Sequence, residues 1–162
     1  MSYKPSKSLM LKLWKIFGNF TLGRWFVAKA LCFTVPYFGT IKPKLIIVKP
    51  GHIELTMKKR RAVYNHLKTV HAIAMCNAAE LSAGVLIDIS LTRDFRWIPV
   101  GMTVQYLKIA KTDLRIICKV GDYHWNEAQD VVLPVDVYDT NHNKVFHADI
   151  TMRITPRLTA EE

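Results

Sequence analysis

Between Thr69 and Ile87 the chain reads TVHAIAMCNAAELSAGVLI, and Glu80 is its only charged residue. This is the longest stretch of helix formers in the sequence. A helix that is apolar nearly all round has to be buried. Ala72, Cys76, Ala79 and Ala83 form a stripe of small side chains, which lets the helix lie close against a sheet or another helix. Thr69 is placed to cap its start. In a chain of 162 residues, a buried helix over 69–87 must be wrapped by everything else.

The wrapping is legible as strands. KLIIVK at 44–49 and HIELTM from His52 flank the turn residues Pro50 and Gly51. In the second of these, Ile53, Leu55 and Met57 alternate with His52, Glu54 and Thr56, the pattern of a half-buried strand. Residues 59–68 are basic and polar and read as a loop. After the helix come GMTVQYLKIAK from Gly101, DLRIICKV from Asp113, DVVLPVDVYD from Asp130 and KVFHADITMRI from Lys144. Turn residues at Gly121-Asp122 and over Thr140–Asn143 separate them as hairpins. Strands joined by short connections are antiparallel neighbours. One long apolar helix against one curved antiparallel sheet is an α+β architecture. The expected organisation is a single domain over 1–162, with an N-terminal helical segment at 1–38 and the sheet and central helix within 44–156.

That N-terminal segment carries most of the charge. The chain has 23 Lys+Arg and 13 Asp+Glu, a net +10, and no acidic residue precedes Glu54. The first 53 residues therefore hold nine of the ten net positive charges. A basic segment beside a nearly neutral body favours an anionic neighbour: a phosphate-bearing ligand, an acidic carrier protein, a lipid surface or nucleic acid. Residues 8–18 and 21–34 read as two short amphipathic helices, the first stopped by Gly18, the second capped by Thr21 and stopped by Pro36. Their cations interrupt the apolar runs, so a secretory signal is not expected. A mitochondrial-type presequence fits the composition, but helix-like order runs straight into the first strand with no linker. No run reaches about 18 uncharged apolar residues, so no membrane-spanning helix is expected. Trp14, Phe17, Trp25 and Phe26 are assigned to packing of these helices. A lid over an acyl tunnel, or a helix lying on a membrane surface, is the alternative.

Cys32, Cys76 and Cys118 are far apart and odd in number, with no CxxC spacing and no Cys/His pair at ligand spacing. They read as small buried hydrophobes of a reducing, cytoplasmic compartment, and no metal is expected. Phosphate-binding, dinucleotide-binding, zinc-protease, serine-hydrolase and EF-hand motifs are all missing. No nucleic-acid-binding pattern is present either, and the N-terminal cations are threaded through residues needed for packing. Glu80 is what remains. A lone carboxylate in an apolar helix is costly unless it is hydrogen-bonded or has a task. It is either structural or a catalytic acid, base or nucleophile.

The surrounding string NHLKTVHAIAMCNAAELSAG resembles the signature of the hotdog-fold thioesterase superfamily. There a polar residue ends a loop, a small residue opens the central helix, and an acid follows two turns on. The resemblance places these landmarks on Asn65, Ala72 and Glu80. The HAxA…AAE form with an N-terminal helical segment is similar to the DUF4442 branch. It implies a hotdog fold and hydrolysis of an acyl thioester. Ala72 stands where better-known members have Gly, but its backbone N–H is the group concerned.

The chemistry of the motif has its own geometry. A helix N-terminus offers free N–H groups to an oxyanion. Glu80 lies eight residues on, roughly 12 Å along the axis. One helix therefore cannot bring both groups to one carbonyl, whereas two antiparallel helices across a dyad can. A homodimer, or a tetramer built from it, is expected. In this scheme the Ala72 N–H polarises the carbonyl, Glu80 activates water or attacks, and Asn65 holds the carbonyl or the water. His71 caps or packs at the helix start. Asn77 hydrogen-bonds Glu80 or packs. Lys108 and Lys111 bracket a turn that, in hotdog enzymes, lies near the nucleotide end of the ligand; each alone is also an ordinary surface lysine. The thioester comes from coenzyme A or an acyl-carrier protein, coenzyme A being part of the substrate and no cofactor being needed. The rival readings are a non-catalytic acyl or lipid binder and a 3-hydroxyacyl thioester dehydratase or hydratase, the latter using His71.

Overall fold

Two short helices open the chain because apolar residues recur there at helical spacing. They are α1 (Leu9–Phe17) and α2 (Thr21–Thr34). The computed structural model describes residues 8–157; Lys4, Lys7 and the two ends of the expected 1–162 domain lie outside the described residues. The hairpin between the helices is tight. A Cβ on Gly23 would fall 2.0 Å from the Phe17 carbonyl oxygen, so only glycine fits there. Pro36 then starts a 3₁₀ turn over Pro36–Ile41.

The strands follow their period-two alternation. β1 (Lys44–Lys49) and β2 (His52–Met57) form a hairpin whose turn uses Gly51 at φ +75°, a conformation open to glycine. On β2, Ile53, Leu55 and Met57 are fully buried. The central helix α3 (Ala72–Ser90) is followed by β3 (Phe95–Tyr106), β4 (Leu114–Lys119), β5 (Gln129–Tyr138) and β6 (Lys144–Pro156). All six strands pair antiparallel in one sheet of order β1-β2-β4-β5-β6-β3. α3 packs against the sheet with Ala78, Ala79, Leu81, Ala83, Leu86, Ile87 and Ile89 fully buried. This is the hotdog arrangement: a sheet curved around one long helix, here with added N-terminal helices. By length and hydropathy α3 could cross a bilayer, yet 67% of that window is buried inside the protein.

The element ends differ from the sequence expectations most clearly in three places. Thr21 does not cap α2 but is its first residue, after Phe20 at the N-cap. α3 spans 72–90, not 69–87. Thr69 does not cap it, because Asn65 and Thr69 are bonded to one another and Lys68 between them is left-handed at φ 56°. His71 is the cap instead. β3 starts at Phe95, six residues before Gly101, and stops at Tyr106. Pro99 lies inside this strand, at a bulge between Pro99 and Gly101 on a sheet edge, where a missing N–H is tolerated.

The outer face of the sheet is polar and paired. Arg115 makes two 2.7 Å bonds to Glu54, which is 5% exposed. Asp136 accepts from Lys144 at 2.9 Å and lies 2.7 Å from His147.

Candidate active site

The start of α3 is built by a loop that uses up most of its own polar groups. The Asn65 side chain donates to the Thr69 hydroxyl at 2.8 Å, and its carbonyl oxygen accepts from the Leu67 and Thr69 N–H groups at 3.0 Å each. Asn65 is thus occupied in fixing the turn. The Val70 N–H donates to the Ala110 carbonyl, and the His71 N–H to that of Val63. His71 then satisfies the first turn of α3. Its Nδ1 accepts from the Ile73 N–H at 3.1 Å, and its carbonyl accepts from Ala74 and Met75 at 3.0 and 3.3 Å. An Nδ1 that accepts places the ring hydrogen of neutral His71 on Nε2. The Ala72 N–H has no acceptor among the described residues. Of the N–H groups at a helix start, the one left over is the one the sequence singled out.

Glu80 is half-buried, and no described residue forms a hydrogen bond or ion pair with it. Its position follows from its neighbours one turn away on each side. Cys76 Sγ lies 3.7 Å from the Tyr106 hydroxyl on β3. A Cβ on Gly84 would stand 3.1 Å from the Trp97 ring, also on β3. The line Cys76, Glu80, Gly84 therefore runs along β3, the free edge of the sheet. The contact with Cys76, followed by burial, raises the Tyr106 phenol above its ordinary pKa.

Asn77 does not bond Glu80. Its amide donates to the Thr40 hydroxyl at 3.1 Å and the Tyr37 carbonyl at 3.3 Å, tying α3 to the 3₁₀ turn. Its Oδ1 is buried with no partner and borders a cleft of about 260 Å³ lined by Tyr37, Tyr64, His71 and Ala74. Lys108 and Lys111 are exposed in the connection after β3, and Lys108 donates to Asn143 at 3.0 Å. That connection is docked on the start of α3 through the Val70–Ala110 bond. The structure thus brings Asn65, His71, Ala72, Asn77 and the lysine loop to one end of α3, and leaves Glu80 two turns away.

Three features went unread in the sequence. Trp97 lies beside α3 because β3 is longer at its start than expected, and Tyr106, within the expected strand, meets Cys76 of α3. The alternation of Phe95 and Trp97 was the available signal, hidden by Pro99. The third is an apolar cavity of about 360 Å³ between α1, α2 and α3, lined by Leu13, Leu31, Phe38, Leu81, Gly84 and Trp97 among others. No group of three His, Cys, Asp or Glu able to hold a metal occurs among the described residues.

A family profile described as a domain of unknown function, DUF4442, matches residues 23–154. The chain belongs to the DUF4442 family. A structural-genomics crystal structure is 38% identical, with a TM-score of 0.81, covering 91% of this chain and 99% of that one. A Pseudomonas aeruginosa protein of unknown function, named a probable thioesterase, is 19% identical, with a TM-score of 0.72 over 81% of this chain and 95% of that one. A Streptococcus mutans protein crystallised with acetyl-CoA is 20% identical, with a TM-score of 0.60 over 72% and 91% of the two chains. The likenesses to the last two establish the hotdog fold. No curated protein matches the chain.

Proposed function

We propose that this DUF4442 protein hydrolyses an acyl thioester, with acyl-CoA as donor, at two sites assembled across a homodimer. One observation carries the reading. A half-buried carboxylate and a helix-start N–H, both without a partner among the described residues, stand on the same helix, beside the edge strand β3. Eight residues separate them, roughly 12 Å along the helix. A second copy related by a dyad at β3 would set Glu80 of one subunit against the Ala72 N–H of the other.

In that composite site the Ala72 N–H donates to the thioester carbonyl oxygen. Glu80 takes a proton from water as the hydroxyl oxygen bonds to the carbonyl carbon. The carbon–sulfur bond then breaks, and the proton on Glu80 passes to the thiolate. Direct attack by Glu80 to give a mixed anhydride, opened by water, is the same chemistry in two steps. Asn65 acts by holding the turn that aims α3, and His71 by consuming the neighbouring N–H groups. The cavity beneath α1 and α2 suits the acyl chain. Lys108 and Lys111, next to the start of α3, suit the phosphates of coenzyme A or an acidic carrier. The acetyl-CoA complex of the Streptococcus mutans relative supports a CoA thioester. A dehydratase using His71 as base is disfavoured, since Nδ1 already accepts from Ile73.

The test is an acyl-CoA panel on the native protein and on Glu80→Gln, with size and circular dichroism recorded for both. Turnover in the variant should fall by roughly 10²–10⁴-fold with the dimer intact. Equal turnover removes Glu80 from the mechanism. A native protein inert to the whole panel but purified with a fatty acid is a binder.

A further inference from the structure

The outward face of α2 is built the wrong way round for water. Leu22, Trp25, Phe26, Lys29 and Phe33 recur at helical spacing on one stripe. Their apolar members are 72%, 57%, 48% and 88% exposed. The opposite side, with Gly23, Val27 and Ala28, is buried against the body. The helix is thus apolar on two sides. α1 continues the pattern with Leu9 and Ile16, at 70% and 64% exposed, and the rings of Phe17 and Phe26 join the two helices at 5.4 Å. Packing accounts for Trp14 and Phe17, which contact the core, and for one edge of Phe26 against Phe17, but not for Trp25, which the sequence also assigned to packing.

Cations are interleaved with these residues. Lys12, Lys15 and Lys29 are exposed, Arg24 lies 5.7 Å from the Trp14 ring, and Lys29 lies 5.7 Å from the Trp25 ring. No acidic residue occurs before Glu54 to neutralise them.

We infer that the outward face of α1 and α2 seats the protein on an anionic lipid surface. Exposed Trp, Phe and Leu insert at the headgroup boundary, while Lys and Arg reach the phosphates. A second copy is a poor occupant, because it would set like charge against like. α2 packs on β1, the edge of the sheet away from β3, so the stripe on α2 is separate from the proposed dimer edge, whereas the start of α1 shares the apolar cavity with Trp97 of β3. Leu9 and Val35, both exposed, also line the apolar cavity, so the lipid-facing surface adjoins it.

The experiment is flotation of the full chain with phosphatidylcholine vesicles, with and without phosphatidylglycerol. The native protein should float with the anionic vesicles only, less so as salt rises. Lys12→Gln, Lys15→Gln and Lys29→Gln should each weaken partitioning roughly five-fold. Leu22→Ser/Trp25→Ser/Phe33→Ser should abolish it while hydrolysis of a soluble acyl-CoA is unchanged. Should that variant misfold by circular dichroism, quenching of native tryptophan by brominated lipid reads the same insertion. Glu80→Gln should float like the native protein, which separates this inference from the hydrolase reading. A native protein that ignores anionic vesicles overturns the inference. So does a serine variant that floats unchanged, or one whose only change is loss of an oligomer.

Discussion

The two edges of the sheet are made differently. β1 is six residues long, carries a bulge, has Lys44 and Lys49 at its ends and is packed by α2. Those are the usual ways of closing an edge to another chain. β3 is twelve residues long, and none of its side chains is fully buried. Ile98 and Val100 are 58% and 44% exposed. Its neighbour β6 buries Phe146, Ala148, Ile150 and Met152 completely. Two strands that exchange hydrogen bonds thus differ sharply in cover. β3 leaves apolar side chains such as Ile98 and Val100 bare on an edge, and Glu80, without a partner among the described residues, lies beside it. An edge protected on one side and bare on the other shows where a second copy is to be sought.

The largest effect should come from charging the bare edge. If the proposed dimer forms at β3, Ile98→Asp with Val100→Asp should yield a monomer by light scattering and remove turnover with it, since the proposed site takes groups from both subunits. Lys49→Glu on the closed edge should do neither. A monomeric native protein would break the comparison outright.

Next in size is the contrast between cross-strand partners Ile150 and Met102. Ile150→Ala on β6 should cost about 2–5 kcal/mol in urea melts at any protein concentration. Met102→Ala, half-buried on β3, should cost less in dilute protein and more as concentration rises, because in the proposed dimer the second copy completes its surroundings.

The smallest effect is local. Burial pushes the Cys118 thiol up to about 12, so it should stay silent to a thiol reagent at pH 8 until the chain unfolds. Cys76, half-buried near Tyr106, should react in the charged-edge variant and be protected in the native protein where the proposed dimer covers β3. Equal labelling in both would place the second copy elsewhere.

Much of the fold was legible because its signals are short-range. The chargeless run around Glu80 announced a core helix, and the alternation on β2 and β6 announced which residues face it. The boundaries that failed were set by contacts that periodicity does not record. Thr69 looks like a cap until Asn65 takes it, and Pro99 looks like a strand breaker until β6 pairs across a bulge. The candidate site was legible in part. Glu80 stands out by residue type in an apolar run, and the resemblance to hotdog thioesterases pointed to Ala72. The sequence suggested a bond from Asn77 to Glu80, but Asn77 turns to Thr40, which lies 37 residues away.

The pattern of apolar, small and charged residues was enough to determine a sheet wrapped on a helix, with a basic, aromatic N-terminus beside it. Periodicity acts over a few residues and is written locally. Which N–H is left free at the helix start, which edge stays open, and which of the N-terminal aromatics meet solvent were decided only by the tertiary structure. Each of those depends on what other parts of the chain have already claimed, and no local pattern records that competition.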